Sequence, residues 1–279
     1  RSRRANPAVP VQVYHKDLLT NDWASLFDRL RSEDAYLNVA GGPVTPLVSA
    51  TSFYEPVAPR GIVDLGMSFA AIQWLSSPGP RGCGSALYFD QLEDEPRAEM
   101  ARRAHADWTR LLERRADELA PGGRLVLDMM GVSDGGTAAG HQAWQLVRGI
   151  CEEMQREGLL DGSRLDDYLL PVYERSADEV RRPFGEAIGA RLRLDRFALV
   201  PVPSPFTERY RADGDAGALA TGFVGFFRAF SEPSLRDGLG LDDGAVEELY
   251  RRLAARIEAA AAGFVFDVHA LTLVISRID

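Results

Sequence analysis

Ile62-Val63-Asp64-Leu65-Gly66-Met67-Ser68 is the stretch whose reading decides the fold. It is a short apolar run entering a glycine, and Ala86-Leu87-Tyr88-Phe89-Asp90 is a second run ending in an acid. Together they mimic the first strand–helix–strand unit of a nucleotide-binding sheet, but that loop relies on several glycines and this one has a single Gly66. In a second register, Ile62 to Ser68 is a strand that enters no such loop.

Further runs lie to either side. Val11-Gln12-Val13-Tyr14 reads as a strand ending at Asp17, and Tyr36 to Ala40 as another, stopped by Gly41-Gly42-Pro43. Leu125 to Met130 follows Pro121-Gly122-Gly123, and Leu192 to Val200 and Leu271 to Ile275 come late. Short, nearly continuous apolar runs suit strands buried on both faces of a parallel sheet. Between them, apolar residues recur at helical spacing. Asn21 can cap a helix, with Asp22 suiting its dipole and Trp23, Leu26, Phe27 and Leu30 on one face. Further helices are expected over Ala98 to Leu119, Gln142 to Glu157 and Ala245 to Ala262. Asp242 or Asp243 caps the last, and Gly263 stands at its C′ position. The alternation predicts a doubly wound α/β sheet. The expected division is a core over residues 1–133, helical cap over 134–190, core strand over 191–202, cap again over 203–263, and final core strand over 264–279. The cap would lie over the carboxyl ends of the strands, where open α/β sheets bind ligands.

The 279 residues carry a formal net charge of −9 and are 46% hydrophobic, as in a globular protein. Net acidity argues against nonspecific binding to nucleic acid or anionic membrane. No apolar run reaches the roughly 18–20 residues that span a bilayer. Arg1-Ser2-Arg3-Arg4 has no apolar stretch behind it and does not read as a signal peptide. Cys83 and Cys151 alone give no disulfide framework, so a reducing cytoplasm is expected. His15, His105, His141 and His269 lack ligand spacing, so no metal site is expected. No Gly-x-Ser-x-Gly elbow and no phosphate-binding glycine–lysine loop occurs.

Three places can carry chemistry. Asp17, beyond a strand's carboxyl end, is either a surface-loop charge or the acceptor of a ribose diol. Ser52-Phe53-Tyr54 is either a loop with buried aromatics or a serine and ring placed against an adenine. Trp74 is either a core tryptophan or an indole donor to a carboxylate, with Gln73 adding a second contact.

Read in order, these segments resemble the SABATH family of S-adenosylmethionine-dependent carboxyl methyltransferases. Gln12-Val13-Tyr14-His15-Lys16-Asp17-Leu18-Leu19-Thr20-Asn21-Asp22-Trp23 with Leu26-Phe27 is similar to one family segment; Ser52-Phe53-Tyr54, Trp74-Leu75-Ser76 and Pro121-Gly122-Gly123-Arg124-Leu125-Val126-Leu127 are similar to three more. Trp144-Gln145-Leu146, Glu157-Gly158-Leu159, Pro171-x-Tyr173 and Arg228-Ala229-x-x-Glu232-Pro233 follow in family order. The resemblance selects the second register for Ile62 to Ser68, as the strand before a helix carrying Trp74-Leu75-Ser76. It implies a Rossmann-like class I methyltransferase sheet with a mainly helical cap. It also implies that Asp17, Leu18, Ser52 and Phe53 bind S-adenosylmethionine, and that Gln73, Trp74, Tyr173, Phe227 and Phe230 line the pocket of a small carboxylic acid. S-adenosylhomocysteine would be the product, and a homodimer is expected.

Two family features are absent: an N-terminal segment with a carboxylate-binding glutamine, and the glycine-rich loop that holds the cofactor's methionine part. Their absence leads one to expect a break in the sheet and roughly 80–100 further residues upstream. Phe69 and Ala70 stand where the family has Ser and Tyr. A carboxylic acid with a pKa near 4 is already ionised at neutral pH, so the implied reaction needs no general base. One alternative is methylation of a heteroaromatic N–H or a phenol, which Gln73 can also serve. Another is a catalytically incompetent fragment acting as a dimer partner.

Overall fold

The computed structural model describes residues 9–39 and 42–279. The basic start at Arg1 to Arg4 and the end of the run at Ala40, with Gly41, lie outside them. In chain order come β1 (Val11–Asp17), α1 (Trp23–Leu30), α2 (Tyr36–Val39), β2 (Val44–Ala50) and β3 (Val63–Phe69). Then follow α3 (Asp94–Glu118), β4 (Leu119–Gly131), α4 (His141–Arg156), α5 (Gly162–Asp167) and α6 (Ala177–Arg181). The chain closes with β5 (Leu192–Val202), α7 (Pro205–Asp213), α8 (Ala216–Leu239), α9 (Asp243–Ala259) and β6 (Val268–Arg277).

The strands form two sheets. β1 pairs in parallel with β2, and a four-stranded sheet has the order β3-β4-β6-β5. β3 and β4 are parallel, while β6 runs antiparallel to both β4 and β5, so the larger sheet is mixed rather than wholly parallel. Among the described residues β1 pairs only with β2 and β3 only with β4. The expected break in the sheet is there.

The larger sheet is packed on one face. Trp108, Leu111, Leu112 and Ala116 of α3 bury against Leu125, Leu127 and Met129 of β4 and Leu271, Leu273 and Ile275 of β6. The Trp108 indole donates to the Val180 carbonyl at 3.0 Å, which fixes α6 on the same side. On the other face Leu65, Met67 and Phe69 of β3 and Val200 and Val202 of β5 are exposed. A second core gathers α4, α8 and α9 around Trp144, Phe223, Phe227, Leu249 and Leu253.

Several local expectations need correction. Tyr36–Val39 is a helical turn, not a strand. The strand there is Val44–Ala50, which the sequence disguises with Pro46; a proline usually argues against a paired strand. Asp22, not Asn21, caps α1, accepting from the Ser25 N–H at 3.0 Å. Asp242 caps α9, but that helix stops at the Ala260 cap, and Gly263 ends a short 3₁₀ turn instead. Ala86 to Asp90 is a buried loop running into a 3₁₀ turn (Phe89–Gln91), not a strand, so Ile62 to Ser68 takes the second register. No helix follows it at Trp74, because that segment instead forms an antiparallel bridge to Val172.

Candidate active site

β1 and β2 end side by side, with Asp17 opposite Ala50. Lys16 Nζ donates to the carbonyls of Asp17 and Ser49, both at 3.2 Å, and staples the two strand ends. Asp17 Oδ1 accepts from the Leu18 N–H at 2.7 Å, and both residues are exposed. The turn after β2 carries Ser52, whose Oγ accepts from the Tyr54 N–H at 3.3 Å, and Phe53, whose ring lies 4.6 Å from that of Tyr54. Arg115 of α3 holds this turn, donating to the carbonyls of Phe53 at 3.1 Å and Glu55 at 2.9 Å. Burial lowers the Arg115 pKa; Glu118, accepting at 2.9 Å, opposes that shift.

β3 and β4 end at Phe69 and Gly131. After Phe69 the chain turns through Ala70, a non-glycine residue at φ 51° whose N–H donates to the Asp128 carbonyl at 2.9 Å. Gln73 follows, buried, with its Nε2 on the Ala70 carbonyl at 2.7 Å and 3.6 Å from Met130 Sδ. The expected second contact from Gln73 to a carboxylate therefore has no free donor. The Tyr54 hydroxyl donates to the Trp74 carbonyl at 2.7 Å, joining the turn after β2 to the segment after β3.

The segment Pro171 to Arg175 crosses these strand ends. Leu75 N–H donates to the Pro171 carbonyl at 2.7 Å, Tyr173 N–H to the Gln73 carbonyl at 2.8 Å, and Val132 N–H to the Arg175 carbonyl at 3.2 Å. Gly131 allows that approach: a Cβ there would stand 2.9 Å from the Arg175 carbonyl oxygen. From Tyr173 a ladder of rings leads into the cap. Tyr173 lies 4.8 Å from Phe89, Phe89 4.8 Å from Tyr88, Tyr88 5.0 Å from Trp144, and Trp144 4.9 Å from Phe227. Phe227 meets Phe230 at 5.1 Å. The main chain thus joins Tyr173 to Gln73 and Val172 to Trp74, whereas Phe227 and Phe230 reach Tyr173 only through Phe89, Tyr88 and Trp144. Phe227 is fully buried and Phe230 half-buried. Sequence reasoning missed Tyr88 and Phe89, which it read as a strand, and used Trp144 only as a motif match.

Glu174 is a further group it missed. Its carboxyl accepts from the Tyr88 hydroxyl at 2.6 Å and the Ala139 N–H at 2.7 Å. Burial pushes its pKa up to about 8; those two bonds oppose the rise and the Asp90 charge adds to it. Beside it, His141 Nδ1 lies 2.5 Å from Asp90 Oδ2. No cluster of three or more His, Cys, Asp or Glu able to hold a metal occurs among the described residues. No helix among them is long and apolar enough to cross a membrane.

The profile of the SAM dependent carboxyl methyltransferase family matches residues 1–277. The chain belongs to this family. This methyltransferase is 26% identical to the O-methyltransferase acrG of Aspergillus aculeatus, over 88% of its own length and 69% of that protein's. It is 25% identical to the 3,7-dimethylxanthine N-methyltransferase TCS1 of Camellia sinensis, over 97% and 74%. A solved loganic acid methyltransferase with SAH superposes at a TM-score of 0.77, over 96% of this chain and 74% of that one. At 17% identity that likeness shows the shared class I methyltransferase fold. The enzyme is a methyltransferase that uses S-adenosylmethionine.

Proposed function

We propose that this enzyme methylates the carboxylate oxygen of a small aromatic acid. In this reading Asp17, Leu18, Ser52 and Phe53 hold the cofactor, and Gln73, Trp74, Tyr173, Phe227 and Phe230 form the acceptor side. The observation that carries it is the Tyr54 hydroxyl on the Trp74 carbonyl, which fixes the two groups of residues against each other. The donor set fits the cofactor: the exposed Asp17 carboxylate can accept from a ribose diol, and the Phe53 ring can lie against an adenine.

When bound, the cofactor supplies an electrophilic methyl group on a sulfonium. The protein's own task is to orient and desolvate the acceptor. An ionised carboxylate needs no base, so a neutral donor is enough to hold it without quenching it. The Trp74 indole N–H is such a donor. Alignment of reacting groups can supply on the order of 7–11 kcal/mol. Tyr173, whose hydroxyl is engaged by Glu179 at 2.7 Å, is well fixed to serve as a wall of the pocket, and the ring ladder behind it excludes water. A homodimer belongs to the same reading on the family resemblance, and a cytoplasmic location on the two lone cysteines.

The test is methyl transfer from labelled S-adenosylmethionine to a panel of aromatic acids, with calorimetric titration of S-adenosylhomocysteine alongside. Trp74→Phe removes a donor to a charged group, about 1.5–3 kcal/mol, or roughly a 10- to 100-fold loss in kcat/KM. Cofactor affinity should stay within about twofold. An unchanged kcat/KM in Trp74→Phe rejects the assigned role. A second reading, methylation of a ring N–H, is favoured by the likeness to the xanthine N-methyltransferase; turnover of 3,7-dimethylxanthine but of no acid would select it.

A further inference from the structure

Arg175 is only 1% exposed, so a guanidinium lies in the interior between α3 and the strand ends. A buried charge is costly and is usually paired with a carboxylate. Arg175 donates instead to two main-chain carbonyls, Ile72 at 3.0 Å and Ala104 of α3 at 2.8 Å. The Trp108 ring centre lies 5.8 Å from the guanidinium. Burial lowers the Arg175 pKa, and the neighbouring Tyr54, Asp107 and Glu179 oppose that fall.

What Arg175 holds is a stretch that no regular element supports. Residues 72–76 are not helical, so their main-chain groups need partners from elsewhere in the fold. The Tyr173 N–H takes the Gln73 carbonyl, the Tyr54 hydroxyl takes the Trp74 carbonyl, and the Leu75 N–H goes to Pro171. At the far end the Asp107 carboxylate accepts from the Ser76 N–H at 2.7 Å and from its hydroxyl at 2.6 Å. The stretch is thus anchored on α3 at both ends, directly through Asp107 and, at Ile72, through the Arg175 bridge. Ile72 and Gln73 are buried but Trp74 is half-buried, so the indole is the side chain of these three that the frame leaves accessible.

We propose that Arg175 is a positioning residue for methyl transfer: by holding the Ile72 carbonyl, it fixes the main chain that aims the Trp74 indole. The inference rests on the role given to Trp74 above and adds the buried cation behind it. Without the guanidinium the Ile72 carbonyl is stranded in the interior, and the stretch must shift to find a partner. A misplacement of about 1 Å at a reacting group costs on the order of 100-fold in rate.

The experiment is a double-mutant cycle of Arg175→Met with Trp74→Phe. It reads methyl transfer to benzoic acid and to 3,7-dimethylxanthine, with S-adenosylhomocysteine titrated alongside. Arg175→Met should lower kcat/KM about 10- to 100-fold with cofactor affinity within about twofold. In the Trp74→Phe background the same change should cost less than about threefold, because the group it aims is gone. A purely structural role makes the two losses multiply, and that outcome overturns this inference while the role of Trp74 stands. Full activity in Trp74→Phe, or transfer to neither acceptor, overturns the reading of the site and the inference with it. The chain has four tryptophans, so fluorotryptophan labelling adds a readout that needs no acceptor. Arg175→Met should move the fluorine resonances of Trp74 and Trp108 and leave those of Trp23 and Trp144 in place. An unmoved Trp74 resonance, or equal shifts in all four, overturns the inference. Should Arg175→Met fail to fold, Arg175→Lys takes its place in both measurements: it keeps the charge, but one ammonium does not span the two carbonyls.

Discussion

Arg115 holds the turn after β2 in place. One guanidinium reaches the carbonyls of Phe53 and Glu55 and pairs with Glu118, whose own Oε1 takes the Val57 N–H at 2.6 Å. The pair is 14% and 5% exposed, so removing one partner strands a charge in a poorly solvated place. Losses of about 3–5 kcal/mol are expected for Arg115→Met in urea unfolding, and Arg115→Met with Glu118→Gln should recover part of them. Arg115→Lys will not restore the turn, because one ammonium lacks the planar fork that spans two carbonyls. A loss below about 1 kcal/mol would show that the turn holds without this clamp. Asp17 could be singled out because it stands at a strand's carboxyl end, and Trp74 because the family resemblance points to it. Arg115 could not: its partners lie about sixty positions away, and no local pattern encodes that distance.

Elements were legible where periodicity spoke and illegible where tertiary contacts overruled it. α3, α4 and α9 follow their apolar stripes, and β3 and β4 their apolar runs. β2 hid behind Pro46, and the segment at Trp74 lost its expected helix to the bridge with Val172. The connection after β4 shows the same principle in its chemistry. Glu174 ties residues 132–140 to the ring ladder through Ala139 and Tyr88, and among the described residues no basic side chain hydrogen-bonds to its carboxyl. Its folded pKa is about 8, above the ordinary carboxyl value, so between the two the unfolded chain is ionised while the native chain is not. Its stabilising contribution is therefore complete below pH 4.5 and is lost as pH rises through about 8. Urea unfolding from pH 5 to 9 should show stability falling with a steeper slope in the wild type than in Glu174→Gln. Parallel slopes would mean that Glu174 titrates normally.

At the scale of the molecule, burial is uneven. The cap and the face of the larger sheet under α3 each hold a dense core, whereas in β1, α1 and β2 only Leu30 is buried. Trp23, Leu26 and Phe27, the stripe that announces α1 in the sequence, are half-buried. The stripe was legible; the shortage of partners for it was not, since packing is a property of the assembled fold. Two-stranded sheets are marginal on their own, and local opening follows low burial. Amide exchange should therefore be fast in β1 and β2 and slow in β4 and β6, which are flanked on both sides and backed by α3. S-adenosylhomocysteine should slow exchange chiefly at the carboxyl ends of β1 and β2, around Asp17 and Ser52, because a ligand stabilises the region that must be closed to bind it. Exchange in β1 and β2 as slow as in β4 and β6 would mean the two sheets open as one unit. Protection by the ligand confined to the cap would move the cofactor away from the strand ends and undo its assignment to Asp17 and Ser52.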